Sequence, residues 1–431
     1  MSNAGNEEAR FGVEELFYTR TDDRGVILAA NSVFTRISGY DPSEAIGAPH
    51  KLIRHPTMPK SVFHQYWEDL KKGRVVSAFV NNRTKSGLSY WVVALVSPMD
   101  EGYVSVRFKP TTDRLAEIEA LYADICAEEA KSWSADKDGA RPLHAEVAKR
   151  GAEDYDFYVT RLLIAEFAAR ENANGGETAH NFEKLLEVRN AVRAMAKDAQ
   201  KLADIFQRMR TTPVNMGIMA SRIEQAGGPI SAISGLYSSM SNEIGLWVKN
   251  FMSDSGNAFG RMEFAALDCV KTTIAAALQQ EMLEQFAREG QDSLGEAFEE
   301  ELELLRRETK LRDAAAKDAL AGIKRDAREI SRSVHVLKRH VMRLSSTRVM
   351  CEIESAKLET RNESFDGVVK QLGSFQKEIE DLHLSIQTAT ESIIGCLETE
   401  IDASSSGAFE FSGELSIDAS HAANETRDAA A

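Results

Sequence analysis

The chain has 431 residues, of which 43% are hydrophobic and 28% charged, with a formal net charge of −15. That acidity, with a pI near 5.2, argues against a nucleic-acid partner and against docking on an anionic membrane surface. Four well-separated cysteines (Cys126, Cys269, Cys351 and Cys396), none in a CxxC pair, argue against a zinc site or a disulfide framework and fit a reducing cytoplasm.

Residues 1–13 are polar and are expected to be a flexible N-terminus without a secretory apolar run. From 14 to 113 the chain is strand-rich. Phe17-Tyr18-Thr19-Arg20 and Val26-Ile27-Leu28-Ala29 flank the turn signal Asp22-Asp23-Arg24-Gly25. Helical pieces are predicted through Glu44 and from Phe63 to Leu70. Three strand-like runs follow, Val75–Asn81, Tyr90–Ser97 and Gly102–Lys109. Between them lies Ile53-Arg54-His55-Pro56-Thr57-Met58-Pro59, a rigid charged turn better suited to holding a ligand than to filling a core.

Residues 114–142 are read as an exit helix and linker, and 143–256 and 257–402 as two helical segments. Residues 403–431, rich in Ser, Gly and Ala, are read as a disordered tail. Leu185, Val192, Ala199 and Phe206 interleave with Val188, Met195, Leu202 and Met209 at heptad spacing. A second seam joins Phe365, Leu372, Ile379, Ile386 and Ile393 to Val368, Phe375, Leu382 and Ala389. A further row runs through Ile323, Ile330, Leu337, Leu344, Cys351 and Leu358. Such stripes need partner helices, in the same chain or in a second copy, and a homodimer is expected. A faint echo between Ile223-Glu224-Gln225-Ala226 and Ile353-Glu354-Ser355-Ala356 allows two related hairpins. The longest uncharged run, Gln225 to Asn242, is Ser-rich and broken by Gly227-Gly228-Pro229, so no membrane span is predicted.

The strand-rich module resembles the PAS domain of bacterial aerotaxis receptors. The match is carried by Ala30-Asn31-Ser32-Val33-Phe34, Ile37-Ser38-Gly39-Tyr40, Gly47-Ala48-Pro49-His50, Arg54-His55-Pro56-Thr57-Met58-Pro59-Lys60, Asn82-Arg83 and Tyr90-Trp91-Val92. The resemblance implies an α+β PAS domain, a five-stranded antiparallel sheet with short helices, ahead of a long all-α coiled coil or antiparallel bundle. It also implies non-covalent FAD, contacted by Asn31, Arg54, His55, Phe63, Trp67 and Asn82. Arg54 could pair with a pyrophosphate, Asn31 and Asn82 with a polar ring edge, and Trp67 offers a stacking face. Thr57 stands where the family has a carboxylate, and supplies a hydroxyl without charge. Haem, bound through an axial ligand such as His50, His55 or His64, is an alternative, as is a cofactor-free scaffold that pairs subunits.

A shorter stretch, Asn215-Met216-Gly217-Ile218-Met219-Ala220-Ser221-Arg222 with Gly227, resembles the hairpin tip of methyl-accepting chemotaxis receptors. That resemblance implies contact with a coupling protein and a histidine kinase through Asn215, Ile218 and Arg222. Met219 and Glu224-Gln225 depart from the family pattern, and an ordinary helix-turn-helix is the alternative.

No enzyme is expected. Arg210-Thr211-Thr212-Pro213-Val214 is similar to a histidine-kinase dimerisation helix, but Gln207, Arg208 and Met209 replace the required His. His335 and His340 are five residues apart and do not share a helix face, so no metal pair is predicted. GxSxG, Walker A and HExxH patterns are absent. The expectation is an aerotaxis-type redox or oxygen sensor whose output leaves through Thr112-Asp113-Arg114.

Overall fold

The computed structural model describes residues 8–133, 139–152, 154–175, 182–223, 228–290, 298–357 and 363–403. Five strands, β1 (Phe17–Thr21), β2 (Ile27–Ala30), β3 (Val76–Arg83), β4 (Ser89–Pro98) and β5 (Tyr103–Phe108), form one antiparallel sheet in the order β2-β1-β5-β4-β3. The first and last strands are therefore neighbours at its centre. Glycine is required at the β4–β5 turn. Gly102 has φ +83°, and a Cβ there would lie 2.0 Å from the Thr21 carbonyl oxygen.

Between β2 and β3 run α1 (Ser32–Ser38), α2 (Pro42–Ala45), a 3-10 turn (His50–Ile53) and α3 (Lys60–Lys71). The starts of α1 and α2 have a local cause. Asn31 caps α1 by accepting from Phe34 N–H, and α2 opens on an Asp41/Glu44 capping box with Pro42 in its first turn.

Strand alternation gives the sheet two different faces. Tyr18, Phe79, Trp91, Val93, Leu95, Val104, Val106 and Phe108 join the large core shared with the helical region. On that side lie α4 (Leu115–Ser132), α5 (Arg141–Lys149) and α6 (Tyr155–Ala173), with Ile118, Leu121 and Ile125 of α4 fully buried. The opposite face carries Phe17, Tyr90 and Val92, packed under α1.

The remaining helices are α7 (Phe182–Met209), α8 (Thr212–Ile223), α9 (Pro229–Glu289), α10 (Phe298–Lys357) and α11 (Glu363–Ala403). Cross-links fix an antiparallel four-helix arrangement. Arg193 meets Glu263 (α7–α9), Arg261 meets Asp326 and Arg343 meets Glu243 (α9–α10), Arg348 meets Gln376 (α10–α11), and Ser385 meets Asp198 (α11–α7). Every residue of the α7 seam is buried, as are Leu372, Ile379, Ile386 and Ile393 of α11 and Ile323 to Cys351 of the α10 row. The stripes thus face one another inside a single chain, in two consecutive hairpins. Each such apolar side chain contributes about 1.5–3 kcal/mol.

The division expected at 256/257 falls inside α9, a single helix of 61 residues. At 1.5 Å per residue α9 is roughly 90 Å long. Leu358 and residues 404–431 of the expected tail lie outside the described residues. No described helix is long and apolar enough to cross a membrane.

Candidate functional site

A cavity of about 310 Å³ opens between α3, the 3-10 turn and the β3–β4–β5 face opposite the bundle. This volume is at the lower end of small-molecule sites, ~300–1,000 Å³. Ala94, Val96, Tyr103, Ser105 and Arg107 line it from β4 and β5, while Phe63, Tyr66 and Trp67 line it from α3. Trp67 stands edge-on to Tyr66 (5.4 Å) and to Tyr103 (5.6 Å). Gly25, at φ +78°, lets the β1–β2 turn close over this indole, since a Cβ there would lie 3.0 Å from the ring.

Four of the expected contacts come together here: Arg54, Phe63, Trp67 and Asn82. The Arg54 guanidinium lies 3.4 Å from the Phe63 ring centroid, a cation–π contact that orients it along the wall. A backbone bridge pairs Arg54 with Asn82, fastening the turn to β3.

The other three are placed elsewhere. Asn31 is fully buried, but it accepts from Tyr18 N–H (3.0 Å) and Phe34 N–H and donates to the Leu16 carbonyl (2.9 Å). Its amide joins β1 to α1 and is spent on the fold. His55 and Thr57 lie outside the cavity lining, His55 Nδ1 being 2.7 Å from Thr57 Oγ1 within the turn itself. The Pro56 turn directs both outward, so the missing carboxylate at Thr57 does not alter the cavity wall.

Two residues that sequence reasoning did not count among the expected flavin contacts line this cavity. Arg107 is buried on β5 and donates through Nη2 to Thr19 Oγ1 (3.0 Å), with His50 Nε2 at 2.7 Å. Burial lowers the Arg107 pKa from its usual value. Loss of water, followed by the charges of Arg107 and Arg54, holds the His50 pKa well below the usual imidazole value. His50 is therefore neutral, accepting at Nε2. Burial raises the Tyr66 phenol to about 12. The period-2 pattern of Tyr103-Val104-Ser105-Val106-Arg107-Phe108 was the available signal, since it puts an Arg on the side opposite three apolar residues.

The lining carries Arg24, Lys51, Arg54 and Arg107 and no Asp or Glu. Its chemistry favours an anionic or electron-rich ligand with a flat apolar body. Among the described residues no group of His, Cys, Asp and Glu is arranged to hold a metal ion.

The exit helix grips the same wall. Glu129 of α4 accepts from Lys60 N–H (2.9 Å), Ser61 N–H (2.7 Å) and Ser61 Oγ (2.6 Å) at the start of α3. Cys126 donates to the Thr57 carbonyl at 3.2 Å. Where β5 leaves the sheet, Glu166 of α6 accepts from Thr111 N–H (2.7 Å) and from Thr112 Oγ1 (2.6 Å). At the far face Tyr18 donates to Glu301 of α10 at 2.7 Å, and Arg20 bonds the same carboxylate.

Residues 27–109 match the model of the PAS fold family. The chain is 43% identical over 112 residues to the aerotaxis receptor of Escherichia coli, covering 25% of this chain and 22% of the receptor. It is 29% identical over 82 residues to the biofilm dispersion protein BdlA of Pseudomonas aeruginosa, covering 19% and 20%. The chain thus spans about a fifth of the length of these curated relatives. Among solved structures, a PAS domain from Colwellia psychrerythraea is 19% identical, with a TM-score of 0.20 over 22% of this chain and 85% of that one. The N-terminal module is a PAS domain, similar to that of the aerotaxis receptor, and a long helical region follows it.

Proposed function

We propose that this chain is a flavin-binding PAS sensor, with FAD in the cavity, that passes the ligand's redox state to the helical bundle. The carrying observation is that β4 and β5 present alternate residues to the cavity and to the bundle core. A ligand that shifts Tyr103, Ser105 or Arg107 moves Val104, Val106 and Phe108 with them. The residues fit the group: Arg54 and Arg107 supply cationic donors, Asn82 a polar edge, and Phe63 and Trp67 aromatic faces. A bound flavin supplies reversible reduction, which changes charge and hydrogen bonding at one ring edge. This chain's residues orient that edge and transmit the change through the Glu129 and Glu166 contacts as well as through the sheet. Coupling of ~1–3 kcal/mol suffices to bias the bundle.

The 43% identity to an aerotaxis receptor over this module supports an aerotaxis-type sensor role in signal transduction. Haem is less well supported. His50 is the one histidine lining the cavity, and its Nε2 already faces Arg107; His55 and His64 lie outside the lining. On the output side Asn215 and Ile218 are exposed on α8, and a coupling protein and histidine kinase would dock there, with Arg222 on the same helix. The proposed setting is the cytoplasm. A visible spectrum of the purified chain before and after dithionite tests the reading: flavin bands that bleach are expected, and absence of flavin absorbance after incubation with FAD sinks it.

A further inference from the structure

β5 aims Ser105 and Arg107 into the cavity. Arg107 is 5% exposed and Ser105 4%, yet Arg107 Nη1 and Ser105 Oγ have no hydrogen-bond partner. The titratable groups that face the guanidinium are the Tyr66 and Tyr90 phenols and the neutral His50, with the Arg54 cation beyond. None is negative, and the cavity lining contains no carboxylate. A buried cation left without a counter-charge is unfavourable, and an open hydrogen-bonding arm beside a cavity is a recognition group awaiting its partner.

We infer that Arg107, with Ser105 beside it, is the charge-selecting end of the cavity. The ligand turns an anionic or electron-rich edge toward it, and the more negative of two ligand charge states is held more tightly. For the identity of the ligand this rests on the flavin reading. The demand for negative charge follows from Arg107 itself. Arg54, stacked on Phe63, holds the wall and leaves this selection to β5. Because Val106 and Phe108 flank Arg107 on the bundle side, the residue that feels the ligand's charge sits on the strand best placed to report it.

The full chain is titrated with FAD, oxidised and after dithionite reduction, as wild type, Arg107→Met and Arg107→Lys. Arg107→Met is expected to lose at least tenfold in the preference for reduced over oxidised flavin, about 30 mV for a two-electron couple. Arg107→Lys is expected to recover most of it. An unchanged preference overturns the inference, because a merely structural Arg107 would lower the melting temperature without moving the preference. Should Arg107→Met not fold, Ser105→Ala decides: a smaller loss in the same direction sustains the inference and no loss overturns it. A wild-type chain that takes up no FAD removes the flavin reading, and ligand-free melting then decides. Arg107→Met melting at or above the wild type keeps the charge-selecting role, and a drop removes it.

Discussion

The two faces of the PAS sheet have opposite characters. Toward the bundle, Tyr18, Arg20 and Ser97 all find partners, on Glu301 and Gln279, amid Val93, Leu95, Val104 and Val106. Toward the cavity, Ser105 Oγ, Arg107 Nη1 and Tyr90 OH are buried without partners. Each face keeps some buried hydroxyl or amide atoms unpartnered, Ser77 Oγ on the bundle side among them, but only the cavity side leaves a buried cation, Arg107, without a counter-charge. Stability should therefore depend on the first face and ligand selection on the second.

The largest expected effect is on the bundle face. Phe286 is fully buried, edge-on to Tyr18 at 5.3 Å and to Phe298 at 6.4 Å. Phe286→Ala should cost about 3–5 kcal/mol in denaturant unfolding; a loss below 1 kcal/mol would refute tight docking of sheet on bundle. Glu301→Leu strands Arg20 and the Tyr18 hydroxyl and should cost about 3 kcal/mol, the penalty for breaking a buried pair. Burial and Glu301 raise the Tyr18 pKa well above 10.0, so this contact is intact below pH 10 and weakens as pH rises beyond it.

On the cavity face the order reverses. Arg54→Ala should leave the melting temperature nearly unchanged but weaken FAD binding roughly tenfold or more, about 1.4 kcal/mol by titration. His50 gives a pH signature. Its folded pKa lies well below 6.5, so the unfolded chain binds the proton first; the module keeps its full stability above pH 6.5 and loses it on acidification, by up to ~1.4 kcal/mol per pH unit. Melting curves from pH 8 to 5 should show this fall, and His50→Gln should flatten it. The smallest effect is remote from both faces. Ile218 is 49% exposed, so Ile218→Glu should change stability by no more than ~0.5 kcal/mol while abolishing capture of a purified coupling protein. Capture at wild-type strength would remove α8 as the docking surface.

The sequence made the sheet, the short helices and the heptad rows legible because each is set by local periodicity. Of the contacts it named, Arg54, Phe63, Trp67 and Asn82 line one cavity, and they share one turn, one helix face and one strand. Asn31 lies outside the cavity lining: an amide beside a helix start is equally a cap, and only the sheet shows its bonds to Tyr18 and Leu16. Arg107 went unnoticed because its role depends on β5 lying between β1 and β4, a pairing across 88 residues of sequence to Thr19. The partner of each heptad row was likewise hidden, since an apolar stripe does not say whether its complement follows in the same chain.

That last point bears on how the protein can work in a cell. A bundle assembled from two chains has a dissociation constant, so its folding and output depend on how many copies are present. Here α7, α9, α10 and α11 complete the bundle covalently. Pairing of the rows within one chain is expected to make the bundle's folding independent of dilution. A fourfold change in protein concentration should leave its unfolding midpoint where it was.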